Sequence, residues 1–385
     1  MVIAQYTDFF SLFIFTLLLI PAIILGLLGK RIKYYSIIVS IPALILIMGL
    51  QTKQMLQFLV FIVCETILVM SYYYFHKKVK SEFIYYSVFL FSIVPIFIIK
   101  ACVYFPKFSF LGFIGISYLS FRIWQLIIEI HDGHIEKLSI IEMLYFITFF
   151  PAISSGPIDC YARFEDELNK KISAGEYASE YFFLGIKKIL LGIVYKFGIA
   201  ALIHFYIIEK LPTDKTFLSV IIYMYAYTFY LFFDFAGYSN FAIGTSHLLG
   251  IKTPENFNKP FLARNMKEFW DRWHMSLSKW FGDYLFSRFV LNTLRNGTFK
   301  SKKVAIRCGY MLTMTVMGLW HGFYVFYIAY GLYQGAMLVL TDVYLKSKIY
   351  KKFKQSKCYD ILSIIVCFQA IAFGMLIFSG YLFKF

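Results

Sequence analysis

The chain has 385 residues, of which 60% are hydrophobic, 21% aromatic and only 16% charged, with a mean hydropathy of +0.67. That composition excludes a water-soluble globular domain and fits an all-α polytopic membrane protein built from apolar spans of about 20 residues each. The net charge of +16 invites a nucleic-acid reading, but no basic stretch has the context such binding needs, and no nucleic acid is expected as a partner.

Along the chain, apolar runs predict spans at about 8–29, 34–50, 56–75, 83–105 and 109–130. Met1–Phe10 carries no Lys or Arg, and no small-residue cleavage site ends the first run, so that run is read as a retained span and not a signal peptide. Lys30-Arg31-Lys33 and Lys77-Lys78-Lys80 follow the first and third spans, which places the N-terminus outside by the positive-inside rule. The cluster Lys346, Lys348, Lys351, Lys352, Lys354 and Lys357 is assigned to the same inner face, within reach of anionic membrane lipids or an acidic partner. Six cysteines (Cys64, Cys102, Cys160, Cys308, Cys358, Cys367) are scattered without metal-ligand spacing and read as small core residues.

Within the fifth span Arg122, Gln125 and Glu129 recur at i, i+3 and i+7, a stripe that must face the bundle interior or a wet cavity. His131-Asp132-Gly133-His134 follows. Two histidines at i, i+3 have metal-ligand potential, but Gly133 weakens the helix and no third ligand is near, so a solvated turn is expected and no metal. Pro151 to Asp159 holds two prolines, a glycine, Ser154 and Ser155, which cannot continue a lipid-facing helix. Broken backbone at membrane depth is tolerated only where protein or water covers it, which makes this a re-entrant or cavity-lining loop. The polar Tyr161–Gly175 segment should lie at the surface.

Two longer apolar stretches, near 181–208 and 217–250, come next, and the second carries Asp234, a paired structural carboxylate or part of a cavity wall. Pro260 to Val290 is too charged to span but amphipathic. On one continuous helix, Met266, Phe269, Trp270, Trp273, Leu277, Trp280, Phe281 and Tyr284 share an arc. Lys267, Arg272 and Lys279 lie away from it, and His274 falls at its edge. Such a segment belongs along an interface or dipping into the bundle. A lone histidine beside aromatics is more often structural, so the residues alone favour that role for His274.

His321 is different. It stands between apolar runs, after Trp320 and flanked by Gly318 and Gly322. An ionisable ring at membrane depth is by default a functional hypothesis, and the glycines admit close approach of backbone or substrate. A histidine hydrogen-bonded for structure is the competing reading.

The segments Glu268-Phe269-Trp270-Asp271-Arg272-Trp273-His274-Met275-Ser276-Leu277-Ser278 and Gly318-Leu319-Trp320-His321-Gly322, in that order, resemble the membrane-bound O-acyltransferase family. Ser154-Ser155-Gly156-Pro157-Ile158-Asp159, Asn256-Phe257-Asn258-Lys259-Pro260-Phe261 and Arg288-Phe289-Val290 point to its branch acting in teichoic acid D-alanylation. The resemblance covers most of the chain. One position departs, since Gly282 stands before Asp283-Tyr284 where relatives usually carry arginine.

The resemblance implies a single transmembrane domain over residues 1–385, a helical bundle of about eleven spans with re-entrant or interfacial helices around a central funnel and tunnel. It implies His321 and His274 as catalytic residues. The tunnel or cavity lining would come from Trp320, Gly318, Gly322, Ser154, Ser155, Asp234 and Arg122, and carrier docking from Lys267, Arg272 and Lys279. No cofactor is held tightly; the donor is D-alanine as a thioester on the 4'-phosphopantetheine of a small acidic DltC-like carrier. The acceptor is teichoic acid, with a DltD-like membrane-anchored protein and a DltX-like peptide as further partners, in a bacterial cell membrane. The basic face suits an acidic carrier, whose binding should weaken as salt rises. Two other readings stand beside this one: an O-acetyltransferase of a surface polysaccharide or peptidoglycan, and a permease or flippase without acyl chemistry. A scaffold with structural histidines is a third.

Overall fold

The computed structural model describes residues 9–49, 51–102, 104, 112–212 and 214–383, with the side chains of residues 9–12 also left aside. Among the described residues the chain is helical throughout, and its sole β feature is an isolated antiparallel bridge between Phe257 and Trp273. By contacts it divides into two compact units, Met1–Ile193 with Tyr238–Pro254, and Val194–Gly237 with Glu255–Phe385.

In chain order the helices are α1 (Phe9–Leu27), α2 (Lys33–Ile47), α3 (Thr52–His76), α4 (Glu82–Ala101), α5 (Ile116–His131), α6 (Ile140–Thr148) and α7 (Tyr161–Asn169). The helix α8 (Ala174–Ile208), which contains π-type turns, and α9 (Phe217–Leu248) follow. Among the described residues five helices are long and apolar enough to cross a bilayer: α3, α4, α8, α9 and α16 (defined below). At 1.5 Å per residue the 25 residues of α3 reach about 37 Å, more than the roughly 30 Å hydrocarbon core. Pro21, Pro42 and Pro95 sit inside α1, α2 and α4, a pattern that membrane helices accommodate.

The first unit is built around α5. Arg122, Gln125 and Glu129 are all buried, as the stripe requires, and Gln125 Nε2 donates to Glu129 Oε1 at 3.0 Å. Against the other side of α5, the Trp124 indole donates to the Ser92 carbonyl on α4 at 3.3 Å. The expected turn after α5 is present, but His131 is not in solvent. Its ring stacks on Tyr85 at 3.9 Å, and its Nδ1 lies 3.1 Å from the Tyr72 hydroxyl. The segment expected at the surface, 161–175, folds into α7 with an inner face of Tyr161, Phe164 and Leu168 fully buried. The spacing of these three, at i, i+3 and i+7, is amphipathic although the segment as a whole is polar.

In the second unit the continuous amphipathic helix expected over 260–290 does not form. It is replaced by a single turn at Pro260–Leu262, α10 (Met266–Trp270), α11 (Met275–Phe281), a π-type turn at Gly282–Phe286 and α12 (Ser287–Arg295). The aromatic arc is buried all the same, with Phe269 fully enclosed and Trp270, Trp273 and Trp280 nearly so. The chain then runs through α13 (Lys302–His321), α14 (Val325–Leu345), α15 (Lys348–Phe353) and α16 (Lys357–Phe378). α13 and α14 form a tight antiparallel pair. A Cβ on Gly331 would meet the Met314 carbonyl oxygen at 2.5 Å, and one on Gly318 would strike the Tyr327 carbonyl. Only glycine lets the two backbones approach that closely.

Candidate active site

The break between α10 and α11 builds the site. Asn256 to Asn258 runs antiparallel to Arg272–Met275: the Asn258 amide donates to the Arg272 carbonyl, and the Met275 amide to the Asn256 carbonyl, both at 2.9 Å. The Asn256 side chain, fully buried, accepts through Oδ1 from the Ser276 hydroxyl at 2.6 Å and the Ser276 amide at 3.3 Å. These four bonds hold His274, at the N-terminal end of α11, in a left-handed conformation with φ 46° and ψ 52°. That region costs a non-glycine residue about 1–2 kcal/mol, so His274 is placed by its surroundings and not by preference.

So placed, the His274 ring meets the edge of Phe235 at 4.6 Å and borders a cavity of about 60 Å³. The opposite contributor is His321, the last residue of α13, whose ring lies 4.9 Å from Phe378 and 5.7 Å from Tyr327. Trp270, Trp273 and Tyr330 complete the aromatic part of the wall. His321 is only half-buried whereas His274 is almost wholly so. Burial, and after it the nearby His321 ring, push His274 down to about 3, so His274 is a neutral imidazole at physiological pH, with one N–H to donate. The arrangement is two histidines on one small aromatic chamber, one partly open and one locked.

A family model described as MBOAT, membrane-bound O-acyltransferase family, matches residues 50–382. The chain belongs to this family. As a membrane-bound O-acyltransferase it is an acyl-transferring enzyme of the membrane, which sets aside the transport reading. It is 41% identical to the teichoic acid D-alanyltransferase of Bacillus subtilis (strain 168), covering 97% of this chain and 98% of that one. To the teichoic acid D-alanyltransferase of Streptococcus thermophilus it is 37% identical, over 94% of this chain and 92% of the relative. A probable alginate O-acetylase of Pseudomonas syringae pv. tomato is 31% identical over 69% of this chain and 49% of its own length.

The remaining candidate residues of this acyltransferase fall in several places. Gly318 borders the Tyr327 carbonyl and Gly331 of α14, Gly322 borders the Tyr327 ring, and neither is among the residues that line the cavity. The Trp320 ring lies 4.7 Å from His321, outside the cavity wall. Asp234 is ion-paired with Lys196. Arg122 belongs to the first unit. There its guanidinium donates to the carbonyls of Phe146 (3.1 Å), Ile147 (2.8 Å) and Ala152 (2.7 Å), tying down the Pro151–Asp159 loop. The same loop carries Ser154, whose hydroxyl donates to Tyr238 at 2.6 Å, and the half-buried Ser155.

Of the docking candidates, Lys267 and Lys279 are exposed, while Arg272 is ion-paired with Glu268 at 2.6 Å. A Cβ at Gly282 would meet nothing within 4 Å, so no packing demands glycine there. Sequence reading missed Asn256 as a positioning residue. Its signal was an asparagine at the head of the Asn256–Phe261 motif, a residue type whose side chain readily caps a neighbouring turn. Among the described residues no group of three or more metal-ligating side chains comes together.

Proposed function

We propose that the chain transfers D-alanine from a carrier-bound thioester to a hydroxyl on the route to teichoic acid, with its N-terminus outside the cell. The observation that carries this reading is the pair of histidines on one aromatic chamber, in a chain 41% identical along nearly its whole length to a teichoic acid D-alanyltransferase. A thioester carbonyl is already electrophilic, so the enzyme must chiefly align it with the hydroxyl and remove one proton. His321, the partly open ring, takes the hydroxyl proton as oxygen attacks the carbonyl. The new C–O bond forms, the C–S bond breaks, and the thiolate leaves with the proton returned from His321. His274, neutral and fixed, donates its N–H toward the carbonyl oxygen where negative charge develops.

The donor arm is the 4'-phosphopantetheine of an acidic DltC-like protein, drawn to the basic face that includes Lys267 and Lys279. DltD-like and DltX-like proteins complete the export route. The match to the alginate O-acetylase covers only half of that protein, which favours D-alanyl over acetyl as the transferred group.

The test is His321→Ala in membranes that express it normally and still bind the D-alanyl carrier. Transfer should fall by about 10²–10⁴-fold, the usual contribution of a general base. Undiminished transfer removes His321 from the mechanism, and transfer from an acetyl donor but not a D-alanyl one moves the chain to the O-acetylating branch.

A further inference from the structure

A cavity of about 240 Å³, larger than the histidine chamber, lies in the first unit where the C-terminal end of α1, the start of α2, the α7–α8 connection and the segment after α9 converge. Its charged wall is Lys30, Arg31, Lys33, Lys170, Lys171 and Glu167, five cations against one carboxylate. Three of these six are already committed. Lys33 is paired with Glu142 and donates to Asn169 Oδ1 at 2.6 Å, Lys170 is paired with Glu176 at 2.7 Å, and Glu167 accepts from the Lys252 amide at 3.0 Å. Lys30, Arg31 and Lys171 are exposed, and none has a carboxylate partner among the described residues. Three uncompensated cations around one concavity repel one another and gain from a shared anion.

The rest of the lining is apolar, with Ile32, Leu168, Ile172, Leu249 and Ile251. Near it, the end of α1 with the Leu28 that follows and the first turns of α8 carry Leu27, Leu28, Phe183 and Leu184 as exposed apolar side chains, on helices that pack so closely that Tyr177 occupies the space a Cβ on Gly26 would need. A soluble anion uses the basic rim alone. A lipid uses both features, its phosphate among the cations and its acyl chains along the apolar flank.

We infer that this cavity is a binding site for the phosphate headgroup of an anionic phospholipid, whose acyl chains run along α1 and α8. Lys30, Arg31 and Lys171 supply the charge, and the apolar flank distinguishes the lipid from free phosphate. Basic recesses at the ends of membrane helices bind anionic headgroups by this combination, each Lys or Arg near the surface strengthening binding by about fivefold.

The test compares the wild-type full chain with the triple variant Lys30→Gln/Arg31→Gln/Lys171→Gln and with a charge-matched control at exposed lysines outside the cavity, Lys300→Gln/Lys302→Gln/Lys303→Gln. Each is reconstituted with phosphatidylglycerol or phosphatidylcholine, and retained lipid is counted by native mass spectrometry alongside the thermal midpoint. The wild type and the control should retain phosphatidylglycerol over phosphatidylcholine, and the triple variant should bind it about 100-fold more weakly. If the triple variant does not fold, Lys171→Gln alone should show about a fivefold loss. Equal retention by wild type and triple variant overturns the inference. So does equal stabilisation by inorganic phosphate without lipid, which would make the ligand a soluble anion. Loss of acidic carrier binding with phosphatidylglycerol retention intact overturns it as well, in favour of a protein docking patch.

Discussion

Replacing Asn256 with alanine should cost catalysis without touching either histidine. Asn256 Oδ1 accepts two buried hydrogen bonds from Ser276, at 2.6 and 3.3 Å, and each such bond contributes about 1 kcal/mol net. The conformation they enforce at His274, φ 46°, costs about 1–2 kcal/mol in a non-glycine residue. These two bonds are therefore of the same size as the strain; the backbone bonds of Asn258 and Met275 remain in the variant, but the weakened clamp lets His274 relax out of position in a large share of molecules. A loss of about 2 kcal/mol corresponds to roughly a 30-fold fall in kcat, with KM for the carrier within about twofold because the docking face is unaltered. Single-turnover transfer from a D-alanyl carrier to reconstituted enzyme reads both. Ser276→Ala keeps the amide donor and loses only the hydroxyl bond, so it should lose about half as much, about 1 kcal/mol, and the double variant little more than Asn256→Ala, because the two residues share these bonds. Transfer by Asn256→Ala within about twofold of wild type, in protein that folds and binds carrier, would refute the idea that this clamp positions the ring.

Two further substitutions probe the scaffold. Gly318→Leu should abolish transfer and lower the thermal midpoint, since even a Cβ there strikes the Tyr327 carbonyl and must push α13 from α14; a normal midpoint with full activity would contradict that packing. Arg122→Ala should destabilise the first unit by about 3 kcal/mol or more, because the carbonyls of Phe146, Ile147 and Ala152 lose a buried donor. Faster limited proteolysis within 150–160 would report it.

The membrane helices were legible because length and apolarity of a run suffice to announce a span, and α3, α4 and α9 begin and end within a few residues of where the runs do. The stripe Arg122, Gln125 and Glu129 was equally legible, since i, i+3, i+7 spacing fixes a helix face before any partner is known. The break at His274 was not. The aromatic arc from Met266 to Tyr284 keeps its helical period across the break, and no glycine marks the left-handed residue. What breaks the helix is pairing with Asn256–Asn258, a tertiary effect that overrides the local pattern. Gly318 was legible as a site of close approach but not as to what approaches, which is the backbone of α14. The basic cavity was invisible for a related reason: Lys30–Lys33 and Lys170–Lys171 are far apart in sequence, and each alone reads as a charged loop.

The smallness of the histidine chamber has a chemical corollary. A space of about 60 Å³ admits only a few water molecules, given about 10–15 Å³ for each. An acyl tip entering it displaces most of them. In the proposed reaction, an activated ester seated there meets few competing waters, so the size of the chamber itself favours transfer to the hydroxyl over hydrolysis.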